Sequence, residues 1–596
     1  MSDEMDTDRD KLIIGNCSGF FGDRLTAAGD MVRGGPIDVL CGDYLAELTM
    51  AILHGKKARS PEAGFVPTFL RQMEEVMAEC LDRGIKVVSN AGGLNPAGLA
   101  AALEGLAKKL GIAPRIAYIE GDDLWPRLAE LGEQGEAFVH MDKGIGLLES
   151  GARPITANAY LGGWGIAEAL GMGADIVVTG RVADAALVAG PAAWRFGWRR
   201  DHWDRLAGAY AAGHIIECGC QATGGNYSFF EEVPSFSNMG FPIAQMYSDG
   251  SCVVTKHPGT GGLVSVGTVT AQLLYEIAEP AYLTPDVVAR FDTLELSEVG
   301  PDRVLVRGAR GEPAPDRAKV CINTDGGFRN SMTVILTGLD IGKKARIVEE
   351  ALFESLGGRD RFAHCRTQLI RSDKQDPATN EEAFAYLRVS VRDPDRDRVD
   401  RAFSAKVVEL ALSSIPGFQM TGPPTGATPA VVHWPALVSA HRLAQRVVME
   451  GETRLVEPVT GGGPGGTAVV APEIRVPPVP GGPTVRAPLG RVFATRAGDK
   501  GGNANLGVWA KTPKAFAFLR EYLTGDRLRE LMPDMAEYGI KRYELPNLYA
   551  VNFVIQGVLG EGAAATTRSD PQAKTLGEYL RARVIDMPEA IIGADG

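Results

Sequence analysis

Apolar and polar positions in the first third of the chain follow two alternating patterns. Short, nearly continuous apolar runs at 12–16, 37–41, 85–89, 116–119, 138–140 and 175–179 predict strands buried on both faces. Between them, apolar residues recur at helical spacing over 23–32, 44–54, 69–81, 96–110 and 164–170, with Leu45, Leu48 and Ile52 on one stripe of the second. Pro96 stands just after Asn95, as at the first position of a helix. This alternation predicts an α/β fold: a large, mostly parallel strand–helix N-terminal domain whose sheet is covered on both faces. The pattern fits an open doubly wound sheet and a closed barrel equally. Residues 15–22 read Gly-Asn-Cys-Ser-Gly-Phe-Phe-Gly, so the first strand is not followed by a dinucleotide fingerprint.

From about residue 238 the period shortens. β-rich runs at 252–255, 292–296, 303–306 and 332–336 are separated by turn residues, including a turn at 323–327. A helix over 343–356, a strand over 385–391 and a helix over 395–412 extend this region as an α+β layer. Together they give a first domain over 11–450 with a mixed α+β extension. Residues 451–488 contain two Gly/Pro-rich stretches and read as a linker. Residues 489–586 predict a small C-terminal ferredoxin-like α+β domain of two strand–helix–strand halves. Its strands fall at 489–494, 506–509 and 548–555, its helices at 513–523 and 569–584, and a polar loop at 498–505.

Composition narrows the classes. The 596 residues are 45% hydrophobic and 23% charged, ordinary for a globular protein. With 62 basic against 74 acidic residues the net charge is −12, which argues against a nucleic-acid partner. Eight cysteines are too sparse for a disulfide scaffold. No apolar window approaches the ~18 residues of a membrane span, and the acidic start does not resemble a secretory leader. A cytoplasmic, membrane-free location is expected.

Candidate chemistry collects at predicted strand ends, where α/β sheets place ligands. Asp43, after the second strand, reads either as a helix N-cap or as an acid/base. The run from Asn90 through Gly92 and Gly93 to Asn95 reads as a tight turn or as a cradle of amides for a carboxylate, phosphate or thioester oxygen. Arg181 and Asp184 leave a strand end three residues apart, as a structural pair or as an anion clamp and a catalytic carboxylate. Cys218 and Cys220 form a Cys-x-Cys, placed on a strand, near His214 and Glu217. The spacing lacks a zinc ligand set, so no metal is assigned, and Cys218 stands as a buried thiol or a nucleophile. His257, between a predicted strand and a Gly-rich turn, is the best-placed imidazole for acid/base work, with Lys256 beside it for an anion. Arg496, Asp499, Lys500 and Asn503 crowd one predicted loop as a binding element or an interdomain contact.

Four segments are recognisable together: 14–23 (IGNCSGFFGD), 41–47 (CGDYLAE), 90–93 (NAGG) and 179–184 (TGRVAD). They resemble the acyclic terpene utilisation AtuA family. Residues 490–585, with AGDKGGNAN at 497–505, resemble the ferredoxin-like domain that ends members of that family. The resemblance implies bacterial catabolism of branched isoprenoid alcohols and acids such as citronellol and geraniol, where intermediates travel as coenzyme A thioesters. It implies no catalytic assignment. The resulting expectation is a hydratase or lyase acting on a branched acyl-CoA or related carboxylate. Coenzyme A enters only as part of that small-molecule substrate; no separate cofactor is identified, and a homo-oligomer is expected. A hydrolase using a thiol or metal-bound water, and a non-catalytic assembly subunit, are the competing expectations.

Overall fold

The computed structural model describes residues 10–459 and 469–592. Its α/β core is an open sheet, not a barrel. β1 (Lys11–Asn16) leads through α1 (Ala27–Gly34) to β2 (Val39–Gly42). Helices α2 (Glu47–Lys57) and α3 (Pro67–Asp82) precede β3 (Lys86–Ser89), and α4 (Pro96–Leu110) leads to β4 (Ile116–Glu120). Then α5 (Leu128–Glu133), β5 (Pro154–Ala159) and α6 (Trp164–Gly171) lead to β6 (Ile176–Thr179), followed by α7 (Ala186–Phe196) and α8 (Trp203–Ile216). Strands β1, β2, β3, β6 and β4 pair in that order, all parallel. Antiparallel strands extend both edges, beginning with β7 (Pro242–Tyr247) and β8 (Cys252–Lys256) beside β1, to give eleven strands.

Every residue of β2 and β6 is buried, as a doubly covered strand requires. Residues of α1, α3 and α4 pack on one face, and residues of α6, α7 and α8 on the other. Helix α4 is bounded as its sequence dictates. The Asn95 side chain accepts the Gly98 amide at 3.0 Å, Pro96 takes the first turn, and Gly111 ends the helix at φ 71°.

The C-terminal region has a four-stranded antiparallel sheet in the order Phe493–Lys500, Asn503–Ala510, Ala550–Gln556, Gly539–Leu545. Each half is a hairpin followed by helix, not strand–helix–strand. The spatial order is that of a ferredoxin-like sheet with the chain cut at a different point. Alternation along the strands separates two faces. Phe493, Ala497, Leu506, Val508, Val551 and Phe553 share a core with helices Pro513–Tyr522 and Leu576–Arg581. Ala494, Trp509 and Ala550 point the other way, into the larger core.

Several expectations are corrected. Residues 138–140 form no strand, although Phe138 is buried. Residues 323–327 lie inside the strand Arg317–Thr337, not in a turn. Cys218 and Cys220 follow α8 and enter the 3-10 turn Gly219–Gln221, not a strand. The first helix starts at Ala27 and the last is confined to Leu576–Arg581. The polar loop at 498–505 is mostly strand, turning at Gly501 and Gly502. Within 451–488, strand Thr484–Pro488 pairs with Val584–Pro588; residues 460–468 lie outside the described residues.

Contacts divide the chain into two compact units, and neither follows chain order. Of the described residues, one holds 10–323, 433–459, 469–563 and 570–592; the other holds 324–432 and 564–569. The second is a two-layer sandwich. Strands His364–Arg371, Phe384–Asp393, the 324–337 portion of Arg317–Thr337, and Phe418–Met420 form an antiparallel sheet. Its apolar face is covered by helices Ile341–Ser355 and Arg401–Glu409.

Candidate active site

Polar side chains leave the carboxyl edge of the parallel strands: Asp43 after β2, Asn90 after β3, Asp122 after β4, and Arg181 and Asp184 after β6. The helices that follow β3 and β6 lie on opposite faces of the sheet. Loops that part in this way open the crevice in which α/β sheets bind ligands.

Asp43 does not cap α2, which starts four residues later at Glu47. Instead Asn90 donates to Asp43 Oδ1 at 2.5 Å and accepts the Tyr44 amide at 2.9 Å, and the Leu45 amide donates to the same Asp43 oxygen at 3.2 Å. Asp43 is 5% exposed. Burial pushes its carboxyl well above the usual range, Asp184 and Glu217 add to the rise, and Arg181 opposes it.

Arg181 is 2% exposed. It pairs with Asp184, donates to the Leu45 carbonyl at 2.9 Å and lies 4.3 Å from the Tyr160 ring centroid, while its Nε makes no hydrogen bond. Burial lifts Asp184 above the ordinary carboxylate range against the pull of Arg181. Beneath them, Asp122 accepts the Arg181 amide and Asn158 Nδ2, each at 2.8 Å. Burial carries Asp122 up to about 7.

Glu47 opens α2, where an acid meets the positive end of the helix dipole. Tyr160 donates to it at 2.8 Å, and Lys319 Nζ lies 3.4 Å from the same oxygen. Burial would raise this carboxyl, but Lys319 and Arg181 outweigh it and hold Glu47 well below the usual range. Glu217, just beyond α8, is opposed only weakly by the cations Arg181 and Lys500. Burial first, then Asp184 and Glu276, push it well up. Its Oε1 lies 3.3 Å from His214 Nδ1. Burial and Lys500 lower His214 to about 4, so the imidazole is neutral. The Cys218 thiol is held protonated, raised by burial and by Glu217 and Glu276.

The C-terminal hairpin closes this cluster. Lys500 Nζ donates to the Glu276 carbonyl at 2.6 Å, and Asn505 Oδ1 accepts the Glu276 amide at 2.8 Å. Glu276 is thereby held at φ 55°, a conformation non-glycine residues rarely adopt. Burial and neighbouring Lys319 bring Lys500 down to about 8; burial, Glu276 and Glu47 bring Asp499 up to about 8. Arg496 is 4% exposed and lies 4.2 Å from the Tyr275 ring centroid, with Nε and Nη2 unbonded.

Asp43, Asn90, Arg181, Asp184, Cys218, Asp499 and Lys500 therefore belong to one buried neighbourhood, with Arg496 nearby against Tyr275. Other expected residues are spent elsewhere. Asn95 caps α4 and donates to the carbonyls of Glu62 and Ala63 at 3.0 and 3.1 Å. The Gly93 and Asn95 amides bond within their own turn, to Asn90 and Gly92 carbonyls. A side chain on Gly92 would approach the Thr179 carbonyl of β6 to 2.5 Å, and one on Gly93, at φ 55°, would meet Leu53 and the Gly64 carbonyl; both glycines serve close packing. His257 Nε2 is 2.8 Å from the Met31 carbonyl, and Lys256 pairs with Asp302 at 3.0 Å, both at the end of antiparallel β8. Asn503 donates to Asp142 at 2.8 Å. Glu47, Tyr160, Lys319 and Glu276 escaped sequence reasoning. Of these only Glu47 carried a signal, as an acid following the Asp43 motif.

Among the described residues, no group of three or more His, Cys, Asp or Glu side chains is arranged to hold a metal ion. None of the described helices is long and apolar enough to cross a membrane.

Fold and site define a class: an open, doubly wound α/β protein whose buried acid–base cluster lies at strand carboxyl ends and is closed by a ferredoxin-like domain. Residues 12–449 match the acyclic terpene utilisation family protein AtuA, and the chain belongs to that family. Residues 487–586 match the AtuA ferredoxin-like domain. No curated protein matches the chain.

Proposed function

We propose that the chain is an enzyme of acyclic terpene breakdown that adds or removes water, or cleaves a carbon–carbon bond, on a branched acyl-CoA or the corresponding acid. The observation that carries the reading is the mixture of charge states in one buried cluster. Asp43 and Glu217 are pushed toward the neutral acid beside the cations Arg181, Lys319 and Lys500. Addition across a carbon–carbon double bond needs a proton donor for one carbon, a base for the attacking water and positive charge where the acyl oxygen becomes negative. Asp43 is the donor in this reading, oriented by Asn90, and Asp184, beside Arg181, takes the proton of the attacking water. Glu47, the cluster's strongly ionised acid, orders Tyr160 and Lys319. Arg181, Lys319 and Lys500 stabilise the developing oxyanion. The protonated Cys218 thiol disfavours a thiol nucleophile.

The test is turnover of a branched 2-enoyl substrate, offered both as free acid and as coenzyme A thioester. Asp43→Asn is expected to lower kcat about 100-fold or more, with the melting temperature preserved. Asn95→Ala, at the α4 cap, leaves kcat in place. Absence of turnover on either form, or full activity in Asp43→Asn, would reject the assignment.

A further inference from the structure

Arg496 has no task in the reaction proposed for this site. It lies on the strand Phe493–Lys500 and is 4% exposed. Side chains alternate along a strand, so Arg496, Gly498 and Lys500 project to one face, with about 14 Å of strand between the two cations. The Tyr275 ring covers bare Gly498 between them, and its centroid is 4.2 Å from the Arg496 guanidinium carbon. Arg496 also acts on the buried cluster: the Cys218 thiol, raised by burial and then by Glu217, Glu276 and Asp43, is opposed by Arg496.

The neighbouring cations are each held by an oxygen of the chain. Arg181 pairs with Asp184, Lys319 lies 3.4 Å from Glu47, and Lys500 donates to the Glu276 carbonyl. Among the described residues, no carboxylate pairs with Arg496, and its buried Nε and Nη2 donate no hydrogen bond. A guanidinium taken out of water without a counter-charge is costly. The two unbonded nitrogens are those whose N–H bonds run parallel along one edge of the fork, and that edge matches the two oxygens of a carboxylate. Further buried polar atoms without partners belong to the same cluster: Arg181 Nε, both ring nitrogens of His214 and Glu217 Oε2. Such atoms are rare in a chain that folds for stability alone. A doubly charged phosphoryl group would bring excess negative charge to a neighbourhood that already presses Asp43, Glu217 and Asp499 toward their neutral acids. A single carboxylate balances the guanidinium.

Resting on the assignment of an acyl substrate to this site, we propose that Arg496 binds a second carboxylate of that substrate side-on, so that the site takes a dicarboxylic acid or its monothioester. The acyl oxygen lies at the Lys500 end of the strand face and the far carboxylate at the Arg496 end.

Calorimetric titration of the full-length protein with succinate, glutarate and adipate tests this, with butyrate, pentanoate and hexanoate as the singly charged arms. At least one diacid is expected to bind saturably and at least tenfold more tightly than the monoacid of its length. Arg496→Gln is expected to remove that preference. Arg496→Lys is expected to restore only part of it, because an ammonium lacks the parallel pair of N–H donors. The preferred diacid is expected to raise the melting temperature of the parent more than its monoacid does. The proposal fails if no diacid binds saturably, if every diacid binds no more tightly than its monoacid, or if Arg496→Gln keeps the preference. Should Arg496→Gln not fold, the parent comparison and Arg496→Lys decide. Binding is read without turnover. Diacid preference with no turnover of any 2-enoyl substrate would reject the reaction and keep this site; turnover of a 2-enoyl monoacid with no diacid preference would keep the reaction and reject this site.

Discussion

Asp122 shows how one buried acid ties stability to pH. Its folded-state proton affinity lies at about 7, against the ordinary 3.8, because burial outweighs the hydrogen bonds from Arg181 and Asn158. A carboxyl with raised affinity binds a proton in the folded chain that the unfolded chain has released. Its contribution is therefore full below the unfolded value and is lost as pH climbs through about 4 to 7. Asp122→Asn keeps an acceptor for both donors but cannot titrate. Denaturant melts across that window are expected to show the variant losing less stability than the parent, by up to about 4 kcal/mol; parallel curves would refute the buried-acid account. Lys500 and Asp499 act in one direction at alkaline pH. The lysine loses its charge and the aspartate gains one near pH 8, so affinity for an anionic acyl substrate is expected to fall through that range. Lys500→Arg, which stays charged, is expected to move the fall upward, as read from KM against pH.

At the scale of elements, the hairpin Phe493–Ala510 does most of the joining. Its outward face carries Arg496, Gly498, Lys500 and Asn505 toward the larger core. Any side chain on Gly498 would collide with the Tyr275 ring on which Arg496 rests. Gly498→Ala is expected to cost about 2 kcal/mol and to lower turnover with it. Asn505 bridges the Glu276 amide, the Leu274 carbonyl and Asn552, the last two at 2.9 and 2.6 Å. Asn505→Ala strands those groups and is expected to cost about 3 kcal/mol in thermal or urea melts. A change within about 0.5 kcal/mol would show that the hairpin is not held by this asparagine.

Apolar periodicity disclosed the parallel strands and α4 because their burial is local and repetitive. The same signal misread 138–140, where Phe138 is buried from a loop, and 323–327, where Asn323 bonds Thr156 and the Glu47 carbonyl from within a strand. Gly326-Gly327 looks like a turn to any local rule. Here Gly327, at φ 78°, is accommodated inside the strand.

For the whole molecule, the site is assembled from distant parts of the chain. Asp43 and Asn90 come from neighbouring strands and were legible as strand-end residues. Lys319 and Lys500 meet the same field from far downstream, and Glu276 from a loop with no motif at all. Nothing in local spacing pairs a lysine at 319 with an acid at 47. His257, the most attractive histidine in sequence, is instead packed against Gly34 and Gly35, because a strand-end imidazole on an antiparallel edge finds a carbonyl there instead of the crevice. The family match covers both domains, and Lys500 and Asn505 of the C-terminal domain bond Glu276 of the first.

Neutral carboxylic acids are expected to persist inside this cluster at neutral pH. Infrared difference spectroscopy between the parent and Asp43→Asn at neutral pH measures it without knowledge of the substrate. The parent is expected to show a protonated carboxyl carbonyl band that loses intensity in the variant. A parent spectrum with only ionised carboxylate bands, or one unchanged by the substitution, would contradict it.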